Sequence, residues 1–253
     1  MNEITLYHGD CLIEMNKITD KSVDMILCDL PYGAIDCKWD IIIPFDKLWE
    51  QYNRIIKDNG TIALFGNEPF SSLLRTSNIK MFKYDWYWKK TKQANYAQAP
   101  YMPLKNIEII SIFSKGTIAE NSKMKMNYYP QGTKSCNIMA TEQQGSNNFR
   151  PNRTSKKVSY IRTVTNYPKQ LLEFNSCGKV IHPTQKPTDL LEYLIKTYTL
   201  ENETVLDNCM GSGSTGVACL NTNRNFIGIE KDDKYFKIAE DRINKAKESI
   251  FEL

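Results

Sequence analysis

The sequence is poor in histidine, with two in 253 residues, and it contains no Cys-x-x-Cys pair. Clustered histidines and paired thiols are the usual means of holding zinc, so a zinc centre has little to build on and no metal site is expected. Seven cysteines, at 11, 28, 37, 136, 177, 209 and 219, are odd in number, and several lie in apolar runs as free buried thiols do. That usage fits a reducing, cytoplasmic setting better than a disulfide scaffold. No apolar stretch reaches the ~18 residues a spanning helix needs, so no membrane association is expected. The N-terminus lacks a basic-then-apolar leader, so secretion is not expected either. No internal repeat is evident.

What is present suits an α/β protein. A chain that is 41% hydrophobic and 25% charged can bury a sizeable core. Val23 to Cys28 is a continuous apolar run of the kind buried on both faces of a parallel sheet. Phe45, Leu48, Trp49, Tyr52, Ile55 and Ile56 recur at helical spacing and predict a helix over 45–57, ended by Asn59-Gly60. Thr61–Phe65, Tyr84–Trp88 and Ile107–Phe113 read as strands, and Glu68–Asn78 as a helix. Residues 89–105 read as a loop over the site. Pro187 suits the start of a helix over 188–197. Thr204–Leu220 and Phe226–Glu230 form a βαβ unit, and 232–247 a terminal helix.

Two segments carry chemistry. Asp29-Leu30-Pro31-Tyr32 follows the Val23–Cys28 run, and Asp207-Asn208-Cys209-Met210-Gly211-Ser212-Gly213-Ser214-Thr215 follows Thr204–Leu206. Each has the form of a buried strand ending in a carboxylate and a turn. Strand carboxyl ends are where open parallel sheets bind ligands, so the two segments are expected to face one crevice. The glycines permit a tight turn and a close cofactor, but a Gly-rich turn alone serves NAD, FAD or phosphate equally well. Glu230, about twenty residues on at a strand end, is placed to bind ribose hydroxyls. Charge is uneven: residues 115–180 hold eleven Lys/Arg against three Glu. Such a basic segment is either an electrostatic footprint for nucleic acid or a solvated insertion.

With Gly9-Asp10-Cys11 near the start and His182-Pro183-Thr184-Gln185-Lys186-Pro187 before the cofactor strand, the order of segments resembles the DNA amino-methyltransferases of the beta arrangement. These use S-adenosylmethionine. The resemblance implies a Rossmann-like methyltransferase fold, a mostly parallel doubly wound sheet with an inserted target-recognition region. The expected division is 1–114 for the catalytic half, 115–180 for the basic insertion, and 181–253 for the cofactor half. It implies a catalytic role for Asp29, Leu30, Pro31 and Tyr32. It implies cofactor contacts from Asp10, Cys11, Asp29, Lys186, Asp207, Gly211, Ser212, Gly213, Ser214, Thr215 and Glu230. Asp10 has a second reading as a helix N-cap. His182 is expected to be structural, and Trp39 to belong to the core or a lid.

The sequence departs from the family at Leu30, where Pro is usual, and at Asn208 and Cys209, where Pro and Phe are usual. The role at position 30 belongs to a main-chain carbonyl. Accepting both N–H groups of an exocyclic amine, at Asp29 and the Leu30 carbonyl, favours a pyramidal nitrogen with a freer lone pair. Those acceptors also stabilise the positive charge that develops on transfer. Tyr32 would stack on a base drawn out of the duplex. Lys89, Lys90, Lys92, Arg150, Arg153, Lys156, Lys157 and Arg162 are candidate contacts to double-stranded DNA. Asp rather than Ser at position 29 favours adenine N6 over cytosine N4. The cytosine-N4 enzyme, a catalytically silent DNA binder and a nicotinamide oxidoreductase are the alternatives. A homodimer and a cognate restriction enzyme are companions that the resemblance allows.

Overall fold

The computed structural model describes residues 2–33, 41–144, 156–176 and 185–251, so Trp39, Arg150, Arg153 and His182 lie outside the described residues. In chain order the elements begin with β1 (Ile4–His8), α1 (Cys11–Glu14), β2 (Val23–Cys28) and α2 (Phe45–Ile55). Next come β3 (Ile56–Gly66), α3 (Phe70–Ser77), β4 (Phe82–Ala94) and β5 (Lys105–Phe113). Then follow β6 (Lys134–Gln144), β7 (Lys156–Thr165), β8 (Leu171–Glu173) and α4 (Thr188–Tyr198). The chain closes with β9 (Thr204–Asp207), α5 (Ser214–Asn221), β10 (Asn225–Glu230) and α6 (Asp233–Phe251).

The main sheet has eight strands in the order β1-β10-β9-β2-β3-β5-β4-β8. From β1 to β3 all pairings are parallel; β5 is antiparallel to both β3 and β4. From the β9–β2 border, the chain winds outward one way through β10 and the other way through β3. That border is the switch point where an open α/β sheet forms its crevice. Pairing of Met25 with Val205 and Ile26 with Leu206 brings Asp29 and Asp207 to the same end of it.

Both faces of the sheet are covered, which explains why every residue of β2 is buried. Met25, Leu27, Ala63 and Phe65 pack with Leu190, Leu194, Ala218, Ala239 and Ile243 of α4, α5 and α6. On the other face Val23, Ile26, Cys28, Ile62 and Leu64 meet Leu48, Trp49, Tyr52 and Ile55 of α2 and Leu74 of α3. Each fully buried large apolar side chain contributes about 1.5–3 kcal/mol.

Several boundaries differ from the sequence reading. The 115–180 segment is not one unit: the chain divides into 1–129 with 170–253, and 130–169. Residues 115–129 are tied to the larger unit, since Asn127 N donates to Asn59 O and Tyr129 N to Thr197 O. Met126 is buried in its core, and β8 is its edge strand beside β4. Residues 130–169, for which the sequence offers no strand pattern, contain the antiparallel pair β6–β7. Met139 and Ile161 face each other there, both exposed. None of the described side chains of the pair is buried, so there is no apolar alternation to read. Likewise β4 continues to Ala94 through part of the expected 89–105 loop.

Asn59-Gly60 does not end a helix; both lie inside β3, which starts as soon as α2 stops. A Cβ on Gly60 would lie 2.8 Å from both the Asp24 carbonyl oxygen and Ile56 Cγ1, so the glycine is required by a close backbone approach. Gly60→Ala should therefore destabilise the protein by about 1–3 kcal/mol, the usual cost of overpacking. Urea unfolding measures it, and an unchanged midpoint would contradict this account of the β2–β3 contact.

Candidate active site

The ends of β1, β2, β9 and β10 open into one cavity of about 1070 Å³. Its walls include Asp10, Cys11, Asp29, Leu30, Pro31, Tyr32, Lys186, Asp207, Gly211, Ser212, Ser214, Thr215 and Glu230. Gly213, the remaining residue expected at the cofactor, is the N-cap of α5 in the left-handed region (φ +76°). A Cβ there would come within 3.0 Å of Ala239 Cα, so this turn needs glycine.

At one end of the cavity Glu230 organises the loop. Its Oε2 accepts from Gly211 N at 2.8 Å, and its Oε1 accepts from Lys231 N and Asp232 N, each at 2.9 Å. Burial pushes its pKa up, while those backbone donors hold it down. Asp10 does cap α1, accepting from Leu12 N at 3.0 Å, and its other oxygen pairs with Lys231 Nζ at 3.0 Å. Beneath the Gly-rich turn, Asp207 accepts from Thr215 Oγ1 at 2.6 Å and from Cys209 N at 3.2 Å. Burial pushes Asp207 up to about 6 against those hydrogen bonds.

The two departures in the loop find local partners. Asn208 Oδ1 accepts from the buried Tyr52 hydroxyl at 2.6 Å, fastening the loop to α2. Cys209 sits beside the thiols of Cys11 and Cys28, and its sulfur accepts from Asn208 Nδ2 at 3.6 Å. Leu30 is buried in the core on the α2 side of the sheet.

At the other end, Asp29 Oδ1 accepts from Tyr32 Oη at 2.5 Å, and Oδ2 from Lys186 Nζ at 2.5 Å. Burial raises Asp29 above the ordinary carboxylate range, although Lys186 opposes the shift. Tyr32 is raised well above its usual value, chiefly by burial and then by Asp29, so its hydroxyl remains a donor. Its ring lies 4.8 Å from that of Phe70. Lys186 Nζ is also 2.9 Å from Glu108 Oε1, and the other Glu108 oxygen pairs with Lys90 Nζ. Burial would raise Glu108, but Lys186 and Lys90 together bring it below its ordinary value.

The basic candidates are distributed differently from the expectation. Lys90 is spent on the buried Glu108, and Lys89 pairs with Glu173 at 2.7 Å. Lys92 is exposed on β4, Lys156 and Lys157 lie on β7, and Arg162 of β7 is exposed. Among the described residues, no group of His, Cys, Asp and Glu is placed to hold a metal ion, and no helix is long and apolar enough to cross a membrane.

Four residues escaped the sequence reading. Tyr52 and Phe70 look like ordinary core aromatics. Arg242 of α6 donates to the Ser212 carbonyl, to Ser212 Oγ at 2.9 Å and to Ser214 Oγ at 3.3 Å. Nothing local marks that arginine. Glu108 had a signal, a lone carboxylate between Ile107 and Ile109 in a strand rich in isoleucine.

The described geometry has counterparts among known proteins. A family model described as DNA methylase matches residues 23–241. The chain is 26% identical to the Type II methyltransferase M.HinfI of Haemophilus influenzae, over 96% of this chain and 69% of that protein. It is 28% identical to the Type II methyltransferase M2.DpnII of Streptococcus pneumoniae, over 98% and 92%. The solved complex of M1.HpyAVI with SAM superposes with a TM-score of 0.65 at 25% identity, over 95% of this chain and 99% of that one. The cytosine-N4-specific PvuII methyltransferase shares the fold, with a TM-score of 0.64 at 14% identity over 97% and 92%.

Arg242→Met should loosen the Gly-rich turn by about 1.5–3 kcal/mol, the range for hydrogen bonds from a charged donor. Faster amide exchange across 211–214 is the expected readout. Unchanged exchange would contradict the clamp.

Proposed function

We infer the activity of this chain from a plain premise: it belongs to the DNA methylase family. It transfers a methyl group from S-adenosylmethionine to the N6 amine of an adenine drawn out of double-stranded DNA. One observation carries the reading: Asp29 and the Gly-rich loop line the same cavity.

The residues present fit the cofactor. Asp10, Asp207 and Glu230 suit hydroxyls and a positively charged group, and they would repel the pyrophosphate of a dinucleotide. Glu230 would hold the ribose hydroxyls, Asp10 the adenine end, and Asp207 the amino-acid end, with Gly211 and Gly213 letting the backbone approach closely. Bound there, S-adenosylmethionine supplies an electrophilic methyl on sulfur. The amine held at Asp29 would take that methyl, with the thioether sulfur as the leaving group keeping the electron pair.

The chain's own contribution lies in orientation and electrostatics. An adenine amine is a poor nucleophile because its lone pair is delocalised into the ring. Asp29 and the Leu30 carbonyl would accept its two N–H groups, localising that lone pair and stabilising the charge that develops. Tyr32, backed by Phe70, offers an aromatic face to an unstacked base. No histidine base is needed, because the proton lost after transfer has a hydrogen-bonded route onto Asp29. Asp at position 29, rather than Ser, supports adenine over cytosine. Phosphate contacts fall to Lys92 and to Arg150, Arg153, Lys156, Lys157 and Arg162 of the basic segment. The setting is cytoplasmic, with a cognate restriction enzyme and a second copy of the chain as companions.

Asp29→Ala should abolish incorporation of labelled methyl from S-adenosylmethionine into unmethylated genomic DNA, while DNA retention on a filter persists. Turnover at the wild-type rate would sink the assignment. Cofactor affinity should be pH-dependent through Asp207, raised to about 6. The ionised form holds a cation, so affinity should rise as pH increases through that value and level off above it. Calorimetry on Asp207→Asn should show no such rise; a persisting slope would place the titration elsewhere.

A further inference from the structure

Asp29 has no idle oxygen in this structure. Tyr32 Oη and Lys186 Nζ each stand 2.5 Å from one of its carboxylate oxygens. A carboxylate oxygen can accept two donors, so a target amine reaching Asp29 must either share an oxygen with one of these groups or replace it. The four charges Lys90, Glu108, Lys186 and Asp29 alternate in sign along one line that runs inward from the half-exposed Lys90. Side-chain exposure is 17% for Asp29, 9% for Lys186 and 3% for Glu108. Glu108 Oε1 is fully buried and accepts no hydrogen bond among the described residues, although Lys186 Nζ is 2.9 Å away. The ammonium is within ion-pair distance of Glu108 and donates to Asp29.

We propose that Lys186 is a placeholder for the target amine at Asp29, and that Glu108 is the positioning residue whose unfilled oxygen takes the ammonium when the amine arrives. The proposal rests on the methyl-transfer reading of the same site. Leaving a buried carboxylate without a cation is strongly destabilising. Lys186 meets that need while the base site is empty. Entry of the amine then exchanges one N–H donor for another, and the ammonium moves a short distance onto an acceptor already within reach. Lys90 holds the far oxygen of Glu108, fixing the direction of the near one. Throughout the exchange Asp29 stays beside a positive charge and remains ionised, the form that accepts an N–H.

The other groups facing Asp29 are Tyr32 on its own turn, Asp207 at the end of β9 and the Cys28 thiol at the end of β2. All three stay unchanged in the variants that test the idea. With unmethylated genomic DNA and S-adenosylmethionine, the acidic limb of the rate–pH profile should move up by about one to three pH units in Lys186→Met, the effect of losing an opposite charge at contact. Lys186→Arg should bring it back towards wild type. Glu108→Gln should move it down, because a like charge is removed and the lysine is left to Asp29 alone. Charge alone gives these two directions, so the placeholder is read from KM for DNA. KM should rise in Glu108→Gln, where the displaced ammonium has lost its charged acceptor, and not in Lys186→Met. A purely structural pair would move KM alike in both. Equal shifts, or none, overturn the proposal.

A carboxyl-carbon NMR titration of Asp29 in the ligand-free chain should show the same two directions. If Glu108→Gln does not fold, Lys186→Met and its arginine rescue decide alone. If the wild-type chain transfers no methyl, the functional reading fails by itself, and the Kd for unmethylated DNA of the same two variants, which needs no turnover, still decides the placeholder.

Discussion

Strands β2 and β9 lie side by side although Asp24 and Thr204, at their starts, are separated by 180 residues. The Asp24 carboxylate secures the join, accepting from Thr204 N at 3.0 Å while Lys57 Nζ stands 2.6 Å from its other oxygen. Without that parallel pair the acceptor segment and the Gly-rich loop would be unrelated turns. With it, both leave the same end of the sheet in opposite directions and enclose a cavity. The hydrophobic layers on either side make the register costly to change, since a one-residue slip would exchange the two buried faces of β2.

Burial also sets the character of the chemistry. The cavity holds carboxylates at both ends, and each is managed differently. Glu230 is held by backbone N–H groups, which supply partial positive charge without a mobile cation. Asp207 has a hydroxyl and one amide, and its pKa is pushed up accordingly. Asp29 has a phenol and an ammonium, the only one of the three paired directly with a lysine. Fixed dipoles suit a residue whose ligand is neutral, such as a hydroxyl. A movable cation suits one that must later release its partner. In a low-dielectric pocket these differences have large effects, because unpaired charge is expensive there.

Much of this was legible in the sequence, for identifiable reasons. Strands β2 and β9 are marked by apolar runs ending in Asp, and the glycines of the cofactor loop are marked by the backbone conformations they must adopt. Asp29, Asp207 and Glu230 all line the one cavity that this pattern implies. What the sequence hid depends on distance along the chain. Arg242 reaches the loop from α6, Tyr52 reaches Asn208 from α2, and Lys90 and Lys186 meet only through Glu108. Charged residues such as Lys90 are surface residues by composition, and only a partner on the neighbouring strand draws one partly inward. The β6–β7 pair was hidden for the opposite reason: with none of its described side chains buried, it needs no alternation of apolar residues.

The central claim is that this site methylates the exocyclic amine of adenine. Its most direct test is to incubate the purified chain with S-adenosylmethionine and unmethylated genomic DNA, digest the DNA to nucleosides and identify the methylated product by mass spectrometry. The account predicts N6-methyladenine. N4-methylcytosine would contradict the base assignment while leaving the amine chemistry intact. No methylated nucleoside, with cofactor binding demonstrated separately, would contradict the account as a whole.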